Sequence, residues 1–283
     1  MLIQPLTLQA IQAAFPKFTI KKSLGPSGQK VALHVTDDSG RDFALKLVRP
    51  DPLNTEYLKR EVAIVQRMGL PYVPSIKRVG DVTVAGADFH FVIEDFVDGK
   101  PLNEVLKGGP LPSEEVHRLM EVLLLGCAAF ERENIVHRDI KPHNIIRGAD
   151  GRFWVIDFGL VRMLDEVSIT ATGKNFGPCT IGYGAPEQMR NQKRKIDSKT
   201  DLFSTGLTIY ECVSGSNPHL VGKDPLQRMQ SITTQDLPPL DERDGLSRPF
   251  LDFVGSLCNR KRSARPASAQ KALDVYTSNF KPE

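Results

Sequence analysis

Most of the chemistry this chain could do is gathered in one run, His137-Arg138-Asp139-Ile140-Lys141-Pro142-His143-Asn144. Asp139 offers a carboxylate that can take up a proton, and Lys141 offers a cation two residues on. Where a chain is locally extended, side chains two apart face the same way, so both would address one site. Asn144 adds an oxygen donor. A second follows eighteen residues after Asp139, in Asp157-Phe158-Gly159. Such oxygens suit a hard divalent cation, and Gly159 lets the backbone turn where a side chain would not fit. Twenty-eight residues after Asp157 stands Ala185-Pro186-Glu187. An isolated Asp-Phe-Gly is commonly just a turn, but three such segments in this order and spacing are not a coincidence.

The set resembles the catalytic loop, the metal-binding loop and the end of the activation segment of protein kinases. Over roughly residues 18–270 the chain is similar to the eukaryotic-like serine/threonine protein kinases. The resemblance implies transfer of the γ-phosphate of ATP to Ser/Thr hydroxyls, a reaction that asks for positioning and charge neutralisation more than covalent work. Asp139 would receive the proton of the attacking hydroxyl, Lys141 would reach the transferring phosphate, and Asn144 and Asp157 would hold Mg2+, with Mn2+ as the alternative ion. Lys141-Pro142 followed by Asn144 resembles the Ser/Thr branch, whereas tyrosine kinases usually carry Ala-Ala-Arg there. Thr180, three residues before Tyr183, falls in the Thr-x-x-Tyr-x-Ala-Pro-Glu pattern that in Ser/Thr kinases contacts the catalytic Asp and Lys.

Upstream, Phe43-Ala44-Leu45-Lys46 resembles the strand that carries the phosphate-binding lysine. Glu61 is its expected helical partner, with Glu56 the alternative. The nucleotide loop departs from the family pattern: Leu24-Gly25-Pro26-Ser27-Gly28-Gln29-Lys30-Val31 has two glycines and one residue fewer. Gly25 and Gly28 still allow close approach to phosphate, while Pro26 removes one N–H donor. A lone Gly-x-x-Gly is usually only a hairpin turn; its position before Lys46 is what gives it meaning. Val31, Ala44 and Ile146 are the expected adenine sandwich, and backbone groups around Asp95 and Val97 would bind the base. Glu94 falls at the gate of the adenine pocket in one alignment and Ile93 in the other. A buried glutamate there would need a partner or a raised pKa.

The remaining resemblances concern support and control. Asp201 would cap the backbone of the catalytic loop, and Glu187 would pair with Arg265, although Lys261-Arg262 replaces the usual Asp-Pro ahead of that arginine. Arg138 would bind a phosphate on the activation segment, where Ser168, Thr170 and Thr172 lie; Thr170 or Thr172 is the expected site. Cys179 reads as a small packed residue rather than a redox thiol. The runs Lys193-Arg194-Lys195 and Arg260-Lys261-Arg262 have no interleaved aromatics and read as solvated faces, so no nucleic-acid partner is expected.

Around these residues the pattern of elements changes once. A short helix at 6–15, capped by Thr7 and stopped by Pro16, precedes strand-like segments at 18–24, 31–36, 42–48, 76–84 and 88–97, with one helical stretch at 54–68. Beyond Asp98-Gly99-Lys100-Pro101, helices dominate, at 113–132 and 201–213 most clearly, broken by short β-like pieces at 145–146 and 153–156. This pattern reads as α+β or as two lobes, and the resemblance implies a two-lobed protein kinase fold: an extension over 1–17, a β-rich N-lobe over 18–97 and a helical C-lobe over 98–283. With 37 Lys and Arg against 34 Asp and Glu, no global field favours a polyanion or a membrane surface. The most apolar stretch, 122–130, is far short of a membrane span. Four well-separated cysteines read as reduced thiols, and with no signal-like start the expected location is cytoplasmic. Little chain remains outside the kinase pattern, so control is expected from the activation segment, the helix at 6–15 or a partner in trans. Two rivals remain. A nucleotide-binding pseudokinase would bind Mg·ATP without turnover, and a small-molecule phosphotransferase typically lacks the Ala-Pro-Glu and Thr180–Tyr183 elements.

Overall fold

The computed structural model describes residues 6–27, 30–50, 55–156 and 180–282. By its contacts the chain divides into two compact units, Met1–Asp98 and Gly99–Glu283.

The first unit is a five-stranded antiparallel sheet with two helices. The strands are β1 (Phe18–Ser27), β2 (Lys30–Asp37), β3 (Asp42–Val48), β4 (Ile76–Val84) and β5 (Ala87–Asp95), in the order β1-β2-β3-β5-β4. Helix α1 (Leu8–Ala14) opens where Thr7 Oγ1 accepts the Ala10 N–H at 3.2 Å, and closes just ahead of Pro16. Helix α2 (Thr55–Met68) joins β3 to β4. The β2–β3 hairpin is fixed by Asp37, whose Oδ1 accepts the N–H groups of Ser39 and Arg41 at 2.9 and 3.0 Å. Strand alternation then sorts the side chains. Leu33, Val35, Phe43, Leu45, Leu47, Phe91 and Ile93 point to one face, where Ile11 and Phe15 of α1 cover them. The other face carries Ala32, His34, Ala44, Lys46, Val92 and Glu94, because Ala32 stands opposite Lys46, His34 opposite Ala44, Ala44 opposite Glu94 and Lys46 opposite Val92.

The second unit is mainly helical. A small sheet of β6 (Gly99–Pro101), β7 (Ile145–Gly148) and β8 (Phe153–Val155) accompanies α3 (Leu102–Val105), α4 (Ser113–Arg132), α5 (Pro186–Met189), α6 (Ser198–Ser214), α7 (Pro225–Thr234), α8 (Arg248–Leu257) and α9 (Ala269–Asn279). The hydroxyl of Ser113, at the start of α4, donates to the Asp244 carbonyl. One helix departs from what the sequence led us to expect. Helix α6 starts three residues before Asp201, because Asp197 caps it by accepting the Lys199 N–H at 3.0 Å. Almost all of α6 is buried, and Gly206 is what lets α8 come so close: a Cβ there would stand 2.6 Å from the Cys258 nitrogen. Cys127, Cys212 and Cys258 are buried free thiols. Among the described residues no helix is long and apolar enough to cross a membrane.

Candidate active site

The chain leaving α4 turns through residues 134–141 before β7, and this turn is held by the buried helix α6. Both oxygens of Asp201 are used, accepting the N–H groups of His137 and Arg138 at 2.7 Å each. Arg138 sits at φ +65°, a left-handed conformation that costs a non-glycine residue about 1–2 kcal/mol. Two distant side chains explain why it persists: Asp201 takes its N–H, and Gln188 Nε2 donates to its carbonyl at 3.3 Å. The turn delivers Asp139, whose own N–H donates to His137 Nδ1 at 3.2 Å.

Three side chains converge on the Asp139 carboxylate. Lys141 Nζ lies 2.8 Å from Oδ2, and Asn144 Nδ2 donates to Oδ2 and to the Asp139 carbonyl at 2.9 Å each. Thr180 donates its hydroxyl to Oδ1 at 2.6 Å and accepts from Lys141 Nζ at 2.7 Å. The backbone at Lys141 is extended (φ −166°, ψ 161°), which is the condition under which Asp139 and Lys141 address one site. Asn144 commits its amide nitrogen to Asp139, which leaves its oxygen as the hard donor for a divalent cation. That donor chemistry fits the expected ion, while the companion ligand, Asp157, lies outside the described residues. Among the described residues no cluster of His, Cys, Asp or Glu could hold a metal by itself.

Behind this site, the segment from Thr180 to Met189 is anchored at several points. Tyr183 donates to Glu211 Oε2 at 2.7 Å, Ser204 Oγ donates to the Tyr183 carbonyl at 3.0 Å, and Asn217 Nδ2 donates to the Gly182 carbonyl at 2.9 Å. Burial raises the Glu211 carboxyl, and the Tyr183 hydrogen bond pulls it partly back. Glu187 and Arg265 form the expected pair, two-pronged at 2.6 and 3.0 Å and almost wholly buried. Arg265 also donates to the carbonyls of Asn259 and Lys199 and stacks over Phe203. The unusual Lys261-Arg262 ahead of it leads into a 3-10 turn, with Arg262 paired to the α6 cap Asp197.

In the first unit, Ala44 and Lys46 share the polar face of the sheet. Lys46 is buried, and its ammonium is paired with Glu94, a contact not foreseen from sequence. Of the two gate alternatives, Glu94 is the residue on this face; Ile93 stands opposite Leu45 in the core. Val31 is a correction. It stands opposite Leu47 and packs against the core, on the face away from Ala44 and Lys46. The β2–β3 register decides this: Val31 pairs with Leu47 and Ala32 with Lys46, so by period-two alternation Ala32, not Val31, shares the face of Ala44 and Lys46. Gly25 has φ +120°, which only glycine adopts without strain. Asp95 gives its N–H to the Ser75 carbonyl at 3.0 Å, and its carboxylate pairs with Lys77 at 2.6 Å. The Val97 N–H donates to no backbone carbonyl among the described residues. Ile146 lies half-buried on β7, opposite Trp154 and Pro101. Gly28, Asp157, Ser168, Thr170, Thr172 and Cys179, and the side chains of Glu56 and Glu61, lie outside the described residues.

A β-sheet unit with a buried, paired lysine, followed by a helical unit in which a carboxylate is gripped by a lysine, an asparagine and a threonine, defines a two-lobed α+β protein of the kinase class. The chain belongs to the protein kinase domain family, whose pattern matches residues 18–276. It is similar to "Probable serine/threonine-protein kinase PknB" of Bifidobacterium longum, with 27% identity over 274 residues, covering 92% of this chain and 39% of the relative. It is similar also to "Serine/threonine-protein kinase pkn2" of Myxococcus xanthus, with 30% identity over 280 residues, 93% of this chain and 32% of the relative. "Serine/threonine-protein kinase PknL" of Mycobacterium tuberculosis shares 34% identity over 181 residues, 63% of this chain and 44% of the relative. The chain thus spans well under half the length of these curated relatives.

Proposed function

We propose that this chain is an ATP-dependent protein serine/threonine kinase. The observation that carries the proposal is the grip of Lys141, Asn144 and Thr180 on Asp139. In this reading Asp139 accepts the proton of a Ser or Thr hydroxyl as that oxygen attacks the γ-phosphorus, and Lys141 steadies charge on the transferring group. Lys46 holds the α- and β-phosphates, Gly25 and Gly28 let the backbone approach them, and Ala32 and Ala44 face the base near the backbone of Asp95 and Val97, with Ile146 of the second unit the remaining adenine residue that the resemblance implies. Asn144 and Asp157 would hold a divalent cation, Mg2+ or Mn2+, which neutralises phosphate charge when bound. Arg138, Glu187, Asp201 and Arg265 keep the loop and the following segment in place. The substrates are proteins, the chain's own Thr170 or Thr172 among them, and the setting is cytoplasmic, with control from the activation segment or a partner in trans.

Intact-mass and peptide mass spectrometry of the expressed protein beside its Asp139→Ala variant tests this. The wild type should carry added phosphate on Ser or Thr, and the variant should carry none. Identical spectra, with no phosphate gained when wild type is incubated with Mg·ATP and a protein substrate, would remove the proposal.

A further inference from the structure

The polar face of the first unit's sheet holds an ion pair that the proposed reaction does not use. Glu94 contacts Lys46 Nζ, and the two side chains are only 7% and 4% exposed. The pair follows from the register. Glu94 stands directly opposite Ala44, two residues from Lys46 on the same face, and diagonal neighbours on adjacent strands are within reach of long side chains. The β3–β5 ladder runs from Phe43 and Asp95 to Val48 and His90, so both Cα positions are fixed by the sheet itself.

A carboxylate oxygen and a phosphate oxygen are the same kind of partner for an ammonium. Lysine has three N–H donors, so both could touch Lys46 at once. Its single charge is another matter. A phosphate approaching Lys46 meets a cation already shared with the Glu94 carboxylate, and it meets the like charge of Glu94 as well. We propose that Glu94 is an internal anion that competes with the nucleotide's phosphates for Lys46 and thereby sets a weaker affinity for ATP than the same site would have without it. This deepens the kinase reading and rests on Lys46 as the phosphate-binding lysine.

The competition acts through phosphate alone, which gives it a signature. Dissociation constants for Mg·ATP and for adenosine, which has no phosphate, are measured by calorimetry on the full chain and on Glu94→Gln. The variant should bind Mg·ATP about tenfold more tightly or better, since one like charge at contact range is worth at least that much in a partly buried site. Because Glu94 stands at the gate of the adenine pocket, the readout is the gain for Mg·ATP divided by the gain for adenosine, about tenfold, a split that a merely structural role would not produce. Should Glu94→Gln not fold, as thermal unfolding would show, Glu94→Asp shortens the reach to Lys46 and should give a smaller gain for Mg·ATP over adenosine. Unchanged or weaker Mg·ATP binding overturns the proposal, as does an equal gain for ATP and adenosine. Those results, with wild type still binding Mg·ATP, leave the kinase reading standing. Binding by the variant but not by wild type supports the proposal, and absence of Mg·ATP binding in both removes the phosphate role of Lys46 and this proposal together.

Discussion

Replacing Thr180 by valine keeps the shape of the side chain and deletes one hydroxyl that serves two charged groups. That hydroxyl donates to Asp139 Oδ1 at 2.6 Å and accepts from Lys141 Nζ at 2.7 Å. Hydrogen bonds to charged groups contribute about 1.5–3 kcal/mol each. The loss in Thr180→Val is less than twice that, because Lys141 keeps its 2.8 Å contact to Oδ2 and Asn144 keeps its 2.9 Å bond to the same oxygen. Water also reaches the head groups, since the Lys141 and Asp139 side chains are 17% and 10% exposed. A net loss of about 2–3 kcal/mol in holding the proton acceptor corresponds to about a 30- to 150-fold fall in kcat. Thr180→Ser retains the hydroxyl and should stay within about fivefold of wild type by the same arithmetic. The assay is the initial rate of phosphate transfer from ATP to a Ser/Thr peptide, with kcat and KM read separately for the three proteins. A Thr180→Val enzyme within about threefold of wild type, or a Thr180→Ser enzyme as impaired as the valine variant, would refute the bridging role.

Other perturbations have outcomes just as definite. Arg265→Leu leaves Glu187 charged and buried and should cost about 3–5 kcal/mol in denaturant unfolding, whereas Arg265→Leu with Glu187→Leu should cost clearly less than the two single changes added together; additive costs would mean that the pair is not coupled. Asp201→Asn keeps one acceptor but turns an N–H donor toward a backbone N–H, so it should lower stability by about 1–3 kcal/mol and reduce kcat, whereas an unchanged thermal midpoint and rate would show that the loop does not depend on this carboxylate. His219 is buried against Ser231, and its imidazole is pushed down from 6.5 to about 4. Between those values the unfolded chain takes up a proton that the folded protein lacks, so stability should fall as pH drops through that window, by at most about 3 kcal/mol. His219→Gln should flatten that fall, and an unchanged profile would place the sensitivity elsewhere.

The parts of the site that are contiguous in sequence could be read from it, because local chemistry dictates them. Asp139, Lys141 and Asn144 lie within six residues, and the backbone of one turn brings them together. The Asp201 contacts and the Glu187–Arg265 pair were legible only through the family resemblance, since the partners lie 64 and 78 residues apart and nothing local joins them. Contacts that depend on strand register could not. Glu94 and Lys46 are 48 residues apart, and they meet only because β5, not β4, pairs with β3. Val31 went to the core for the same kind of reason, its pairing with the core strand position of Leu47. His219 and Ser231 form a buried polar contact between α6 and α7, extended to the exposed Gln235, that no motif announces. Its only trace in sequence is polar residues in an otherwise apolar neighbourhood, which is too common a pattern to single out.

Transfer of labelled γ-phosphate by the purified chain and by its Asp139→Asn variant addresses the main claim most directly, because the substitution keeps size and shape while removing the proton-accepting charge and turning one acceptor oxygen into an N–H2 donor. With Mg2+ present, wild type should label Ser or Thr and not Tyr, and the variant should be slower by about 10²–10⁴-fold while remaining folded. Equal rates for the two proteins, or no transfer by wild type with either Mg2+ or Mn2+, would contradict the assignment of Asp139 as the base of a protein serine/threonine kinase.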